Sequence, residues 1–265
     1  MSKQLNFAQQ MDEVLKTLGS QRPKLLLHAC CGPCSSAVLE KLCRYFEITV
    51  LYNNPNTWPA EEYYRRGEEL KKFVAQAHPL GVTVIEDHYD PQEFYTAVQG
   101  LENEPERGGR CTVCYRLRMR RAAQYAKEHG FDWITTTLSI SPHKDAARIN
   151  LIGQELEAEF GIRHLPSDFK KQNGYLRSLQ LSEEYGLYRQ DYCGCEFSAK
   201  ARGWTAQSPA ACLSCQERWH CEAMTERFTP HAFWTPELQR RSALRRARCW
   251  LPYQQQDRRF QLPCR

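Results

Sequence analysis

Residues 24–34 read Lys24-Leu25-Leu26-Leu27-His28-Ala29-Cys30-Cys31-Gly32-Pro33-Cys34, an apolar run that breaks into a turn carrying three thiols. Three consecutive leucines show no polar alternation, as expected of a strand buried on both faces of a parallel sheet. Gly32-Pro33 punctuates the exit, and a helical pattern is expected over residues 35–45. A loop that leads from a strand into a helix is where α/β proteins bind ligands. The Cα atoms of adjacent Cys30 and Cys31 lie about 3.8 Å apart, below the roughly 4.4 Å lower bound for ordinary disulfides, so these two are not expected to pair with each other.

Outward from this stretch, strands and helices alternate. Residues 5–18 carry apolar positions at helical spacing. Strands are expected at 48–52, 82–85, 133–138 and 163–165, and helices at 60–77, from Asp90-Pro91 onward, at 111–129 and at 144–160. Gly130 and Gly161 close the last two helices, and Asn53-Asn54-Pro55-Asn56 is a turn at the end of the second strand. The fold class that follows is α/β, with a doubly wound, mainly parallel sheet of about five strands. Neither GxGxxG nor GxxxxGK[ST] occurs, so a standard dinucleotide or P-loop site is not expected.

At 265 residues and 42% apolar content, the chain has material for a domain of about 200 residues plus an appendage. No apolar stretch approaches the roughly 18 to 20 residues that span a bilayer, and the first residues lack the apolar core of a signal peptide; the expectation is no membrane and a cytoplasmic location. In a reducing compartment thirteen cysteines point to metal ligation, redox chemistry or burial instead of a disulfide framework. The net charge of +5 hides an asymmetry. Residues 201–265 carry 11 Arg, no Lys and 5 acids, with four of the six Trp and five of the thirteen Cys, so this segment is +6 and the rest −1. The expected division is a domain over 1–200 and a basic, poorly structured extension over 201–265. In that extension Cys212, Cys215 and Cys221 resemble part of a zinc ribbon without an obvious fourth ligand.

Two further cysteine constellations carry chemistry. Cys111-Thr112-Val113-Cys114 stands at the start of an expected helix, where unpaired N–H groups and the helix dipole favour thiolate. Its readings are half a zinc site, a thioredoxin-like dithiol or half an iron-sulfur site. Both cysteine loops are expected at the same edge of the sheet, which would bring Cys30, Cys31, Cys111 and Cys114 together as the four thiolates of a cubane cluster. In Cys193-Gly194-Cys195 a single glycine allows the two thiols into disulfide range, and the small ring formed would be strained and labile. That suits a working dithiol; a pair of metal ligands or of buried thiols is the plainer alternative.

Taken together in this order, HACCGPC, the YNNPN turn, RCxxCYxLR, TTTLSISPHKD and YCGC over about residues 20–200 resemble the QueH-type epoxyqueuosine reductases. The resemblance implies a nucleotide α-hydrolase-like sandwich that reduces the epoxide of epoxyqueuosine to queuosine. The substrate would be the wobble base of the tRNAs for Asp, Asn, His and Tyr, in the last step of queuosine biosynthesis. It further implies a 4Fe-4S cluster on Cys30, Cys31, Cys111 and Cys114, and a redox-active disulfide between Cys193 and Cys195. Members differ at the position of Cys34, some carrying a carboxylate, so a second iron near Cys34 is left open. The implied partners are tRNA and an electron donor that the residues do not identify, and they specify no oligomeric state.

Other residues adjoin these motifs. Ser139, Ser141, His143, Lys144 and Asp145 follow a strand and open a helix, where backbone donors suit a phosphate or a base edge; the alternative is an N-cap cluster that happens to contain a histidine. His143 is the candidate proton donor to the epoxide oxygen. Asn53, Asn54, Ser139 and Lys144 are candidate substrate-binding residues. Residues 106–121 contain six Arg against one Glu, a possible phosphate contact or a solvated helix face. Tyr52, Tyr115 and Tyr192 are candidates for stacking on an extruded base or for core packing. His28, after the apolar run, is read as a satisfied core histidine. The competing functions are an iron-sulfur tRNA thiolation enzyme, which would need an absent SGGxDS-type ATP loop, and a non-catalytic zinc-stabilised RNA-binding protein.

Overall fold

The computed structural model of the chain describes residues 6–78 and 81–204; residues 205–265, with Cys212, Cys215, Cys221 and most of the basic extension, lie outside the described residues. In chain order the elements are α1 (Phe7–Thr17), β1 (Lys24–Ala29), α2 (Gly32–Leu42), β2 (Glu47–Tyr52), α3 (Ala60–Ala77), β3 (Val82–Glu86), α4 (Pro91–Ala97), α5 (Gly109–Glu128), β4 (Trp133–Thr136), a 3-10 turn (Thr137–Ile140), α6 (Ala146–Phe160), β5 (Arg163–His164), α7 (Gly174–Glu184) and α8 (Glu196–Lys200). All five strands pair in parallel, in the order β3-β2-β1-β4-β5.

The central strand is β1, and its burial explains its composition. Leu25 and Leu27 pack on one face with Val38, Leu39 and Leu42 of α2 and with Phe73 of α3. Leu26 packs on the other with Ala122 and Ala123 of α5 and Ile149 and Ile152 of α6. All three leucines are fully buried, each worth about 1.5–3 kcal/mol of transfer free energy. Because β2 lies on one side of β1 and β4 on the other, the chain reverses its direction of travel at β1/β4. Loops leaving the C-terminal ends of these two strands therefore diverge and open a crevice.

Several boundaries differ from the sequence reading. The helix after β1 begins at Gly32, not residue 35, with Pro33 in its first turn, where a missing N–H costs nothing. Strand β4 stops at Thr136, whose hydroxyl accepts from Leu138 N–H and turns the chain into the 3-10 segment. Helix α6 starts at Ala146 on an Asp145 cap, so Lys144 lies in the loop. Helices α7 and α8 were not anticipated. The buried face of α7 is Ser178, Leu181 and Ser182, while Leu176 and Leu179 face solvent, so its apolar residues trace no helical stripe.

Candidate active site

The loop after β1 and the first turn of α2 bring Cys30, Cys31 and Cys34 together, with their Sγ atoms all within 4.8 Å of one another. Cys30 and Cys31 are unpaired thiols 3.8 Å apart. The three behave as one acid. Hydrogen bonds from Cys31 and Cys34, reinforced by the Lys144 and Arg118 charges, hold Cys30 well below the usual thiol range. The same hydrogen bonds, with burial and the Cys30 charge behind them, push Cys31 up to about 11 and raise Cys34 as well. Thr137 also contributes, its hydroxyl donating to Cys30 Sγ at 3.4 Å while accepting from Cys30 N–H at 3.2 Å.

Cys111 and Cys114 lie outside that knot, on the first two turns of α5. Cys111 packs beside the core face that contains Cys30 and Cys31, and Cys114 packs with Cys195, Phe94 and Val98. The expectation that the helix start favours thiolate here is corrected: burial is the largest influence on both thiols and raises them. Arg107 N–H, donating to Cys111 Sγ at 3.2 Å, only partly offsets this.

Cys193 and Cys195 are free thiols with Sγ atoms 3.5 Å apart. The hydrogen bond between them lowers Cys193 well below the usual thiol range and raises Cys195. Gly194 makes the juxtaposition possible. Its φ of +117° is a conformation that side chains resist, and a Cβ there would lie 2.7 Å from Arg66 Nη1. The loop is docked by Trp58 N–H donating to Gly194 O at 2.8 Å and by Tyr192 hydroxyl donating to Trp58 O at 2.6 Å.

Two adjoining cavities connect these groups. The larger, about 290 Å³, is lined by Cys30, Cys34, Ser141, Tyr175, Gln190 and Cys193 among others. The smaller, about 30 Å³, is lined by Cys111, Cys114, Cys195, Asn56, Tyr115 and Arg118. Glu106, His143, Lys144 and Cys193 belong to both walls. His143 is exposed at this seam, whereas Lys144 is buried.

The electrostatics are those of a site prepared for negative charge. Arg118 is buried, donates to Asn54 Oδ1 and reaches Cys114 Sγ at 4.0 Å, while its Nε has no partner. Neither Arg118 nor Lys144 has a carboxylate partner among the described residues. Burial opposes the charge of both, but Cys30 and Cys193 hold Lys144 above the ordinary lysine range, and Cys114 and Cys30 raise Arg118 likewise. A buried cation without an anion costs several kcal/mol, so these two charges need thiolates or an anionic group ligated by thiolates. Arg66, also buried, is already paired with Glu62 at 2.7 Å.

Other candidates occupy different places. Asn53, Asn54 and Ser139 are buried beneath the cavities and line neither. Asn53 donates to His88 O at 3.2 Å, Asn54 donates to Ala29 O at 3.0 Å, and Ser139 bonds Ser167 Oγ at 3.1 Å. Of the four candidate substrate contacts, Lys144 alone stands in a cavity wall. Tyr52 and Tyr192 are buried with their hydroxyls donated to Tyr63 O and Trp58 O, Tyr192 also lining the larger cavity; Tyr115 is buried and lines the smaller one. The arginine run is largely partnered: Arg116 with Glu155, Arg120 with Glu159, Arg121 with Asp87, and Arg110 with the carbonyls of Leu101, Glu102 and Glu104. His28 is fully buried between Thr136 Oγ1 and Asn53 O, and burial lowers it to about 3. Gln190 escaped the sequence reading, for it lies in no pattern that marks chemistry; Asn56 was read only as part of the YNNPN turn and not as a site residue.

Residues 25–201 match the family described as epoxyqueuosine reductase QueH. An epoxyqueuosine reductase QueH from Streptococcus pyogenes is 42% identical over 207 residues, covering 76% of this chain and 81% of the relative. The Staphylococcus epidermidis protein of the same name is 39% identical over 214 residues, 77% of this chain and 90% of the relative. That of Haemophilus influenzae is 39% identical over 179 residues, 67% and 72% respectively. No helix among the described residues is long and apolar enough to cross a membrane. With the match spanning the cysteine loop after β1, the CxxC helix and the Cys193–Cys195 turn, the chain belongs to the epoxyqueuosine reductase QueH family and is an oxidoreductase.

Proposed function

We propose that this protein reduces the epoxide of epoxyqueuosine to queuosine in tRNA, at the wobble base of the tRNAs for Asp, Asn, His and Tyr, in the cytoplasm. The observation that carries the reading is the convergence of six thiols, with Cys31 beside Cys30 and Cys34, and two carboxylate-free buried cations on one pair of adjoining cavities. Cys30, Cys31, Cys111 and Cys114 are the proposed ligands of a 4Fe-4S cluster, and Cys34 is the residue nearest to hand for a second iron. The donor set fits: all are thiols, all are at least half buried, and Arg118 and Lys144 balance the net negative charge of a thiolate-ligated cluster. When bound, the cluster supplies electrons one at a time.

The remaining chemistry falls to the chain itself. Opening the epoxide to the alkene takes two electrons and two protons and releases the oxygen as water. Cys193 as thiolate and Cys195 as thiol supply both electrons and one of the protons as they join in a disulfide; the second proton comes from His143. A separate electron donor then restores the dithiol. His143, exposed at the seam of the cavities, passes the second proton to the departing oxygen, and the hydrogen bond from Cys195, with the Lys144 charge beside it, keeps Cys193 below the usual thiol range. The larger cavity accepts a modified base only after its extrusion from the anticodon stack.

The test is anaerobic purification followed by reaction with tRNA bearing epoxyqueuosine and a nucleoside digest. The reading expects a brown protein that bleaches on reduction, and loss of iron from each of Cys30→Ala, Cys31→Ala, Cys111→Ala and Cys114→Ala. A colourless protein carrying stoichiometric zinc and leaving the epoxide intact would overturn it in favour of an RNA-binding module.

A further inference from the structure

We infer that Gln190 is a positioning residue that sets the reduction potential of the site by a hydrogen bond to Cys31; the inference rests on Cys31 being a cluster ligand as proposed above. Gln190 lies in the stretch between α7 and the Cys193–Cys195 turn, in the wall of the larger cavity. Its Nε2 donates to Cys31 Sγ at 3.2 Å across 159 residues of sequence. Its Oε1 is buried and has no partner.

That asymmetry is the argument. A glutamine amide has two donors and one acceptor oxygen, and a side chain chosen for fold stability would bury both ends satisfied. Here the oxygen is left without a partner while the N–H points at sulfur, so the arrangement gives up some stability for one contact. Reversing the amide would set a carbonyl oxygen against a sulfur that carries negative charge when ligated, two acceptors face to face. The observed orientation is the one a charged sulfur demands.

A hydrogen bond to a ligand sulfur stabilises the reduced form more, because reduction adds charge that spreads onto the sulfurs. Gln190 therefore raises the midpoint potential. Cys30 receives its donor from Thr137 on the strand side, and Gln190 serves Cys31 from the opposite wall, so the two adjacent sulfurs are tuned from different elements.

The experiment is a redox titration of the full-length holoenzyme, read by visible absorption and by electron paramagnetic resonance of the reduced state, for wild type, Gln190→Leu and Gln190→Asn. Leucine keeps the volume and removes the donor; asparagine keeps the amide but withdraws it by one methylene. Both variants are expected to retain full iron and sulfide and to titrate at more negative potential than wild type. An unchanged midpoint in either iron-replete variant overturns the assignment of Gln190 and leaves the cluster reading standing. Loss of iron from both variants would also overturn it, making Gln190 a structural prop. A wild-type protein without iron sinks both readings.

Discussion

Replacing Gly194 by alanine tests whether the dithiol turn is held by backbone geometry. At φ +117°, outside even the left-handed helical region, a Cβ costs about 1–3 kcal/mol. The new carbon would also lie 2.7 Å from Arg66 Nη1 and 3.4 Å from Asn56 Nδ2. Arg66 cannot yield cheaply, being 2% exposed and paired with Glu62, and breaking a buried pair costs about 3–5 kcal/mol. If the turn moves instead, it forfeits the Trp58 N–H bond to Gly194 O, about 1 kcal/mol. The cheaper route totals about 2–4 kcal/mol, and the dearer about 4–8 kcal/mol, by these same costs. Gly161→Ala is the reference, since Gly161 has φ +71° and nothing within 4 Å of its Cβ position, so it reports about 1–2 kcal/mol of conformational cost alone. Anaerobic urea unfolding of both variants, with single-turnover epoxide reduction, makes the comparison. Gly194→Ala should be the less stable and should lose turnover as Cys193 and Cys195 are carried apart. If Gly194→Ala is as stable as Gly161→Ala and fully active, the turn is not held as argued.

Further outcomes follow from the same geometry. Cys193→Ser or Cys195→Ser should keep the iron and the brown colour while abolishing turnover; iron analysis beside a nucleoside digest decides it, and iron loss would make the pair ligands. Arg118→Met should leave Asn54 Oδ1 without its donor and the proposed cluster without a counter-ion, destabilising the protein by about 1–3 kcal/mol and lowering iron content; unchanged iron would refute the counter-ion role. His164 is buried with neither ring nitrogen partnered, and burial lowers its pKa from the ordinary 6.5 to about 4. The folded state thus resists a proton that the unfolded state accepts, so this contribution is intact above pH 6.5 and is lost as pH falls toward 4. The loss amounts to about 1.4 kcal/mol per pH unit and about 3 kcal/mol in all. His164→Leu, measured by urea unfolding at pH 7 and pH 4.5, should show a correspondingly smaller fall than wild type.

Much of the frame was legible because it follows from short-range rules. Leu25-Leu26-Leu27 has the unbroken apolar run of a strand buried on both faces, it lies at the centre of the parallel sheet, and the alternation after it prescribes crossover helices. Helices α7 and α8 were not legible. The face that α7 buries is mostly serine, satisfied by back-bonding to its own carbonyls, as when Ser182 donates to Ser178 O at 2.6 Å, and periodicity arguments see only apolar residues.

The site divides in the same way. Sequence singled out the Cys-Cys, CxxC and CGC thiols as candidates, and put them on two loops and a helix start, since those patterns are visible in one dimension. Only tertiary structure decided how they group: Cys34 joins Cys30 and Cys31 because α2 begins at Gly32 and turns Cys34 back over the loop, and Cys114 faces Cys195. It also decided that Asn53, Asn54 and Ser139 support the floor while Lys144 and Gln190 form the walls. Pairing of charges is the physical reason. Six arginines in a row of sixteen residues look alike in one dimension, yet four of them meet carboxylates or carbonyls and Arg118 meets only an amide and a thiol; which is which depends on contacts made across tens of residues, and no local pattern encodes them.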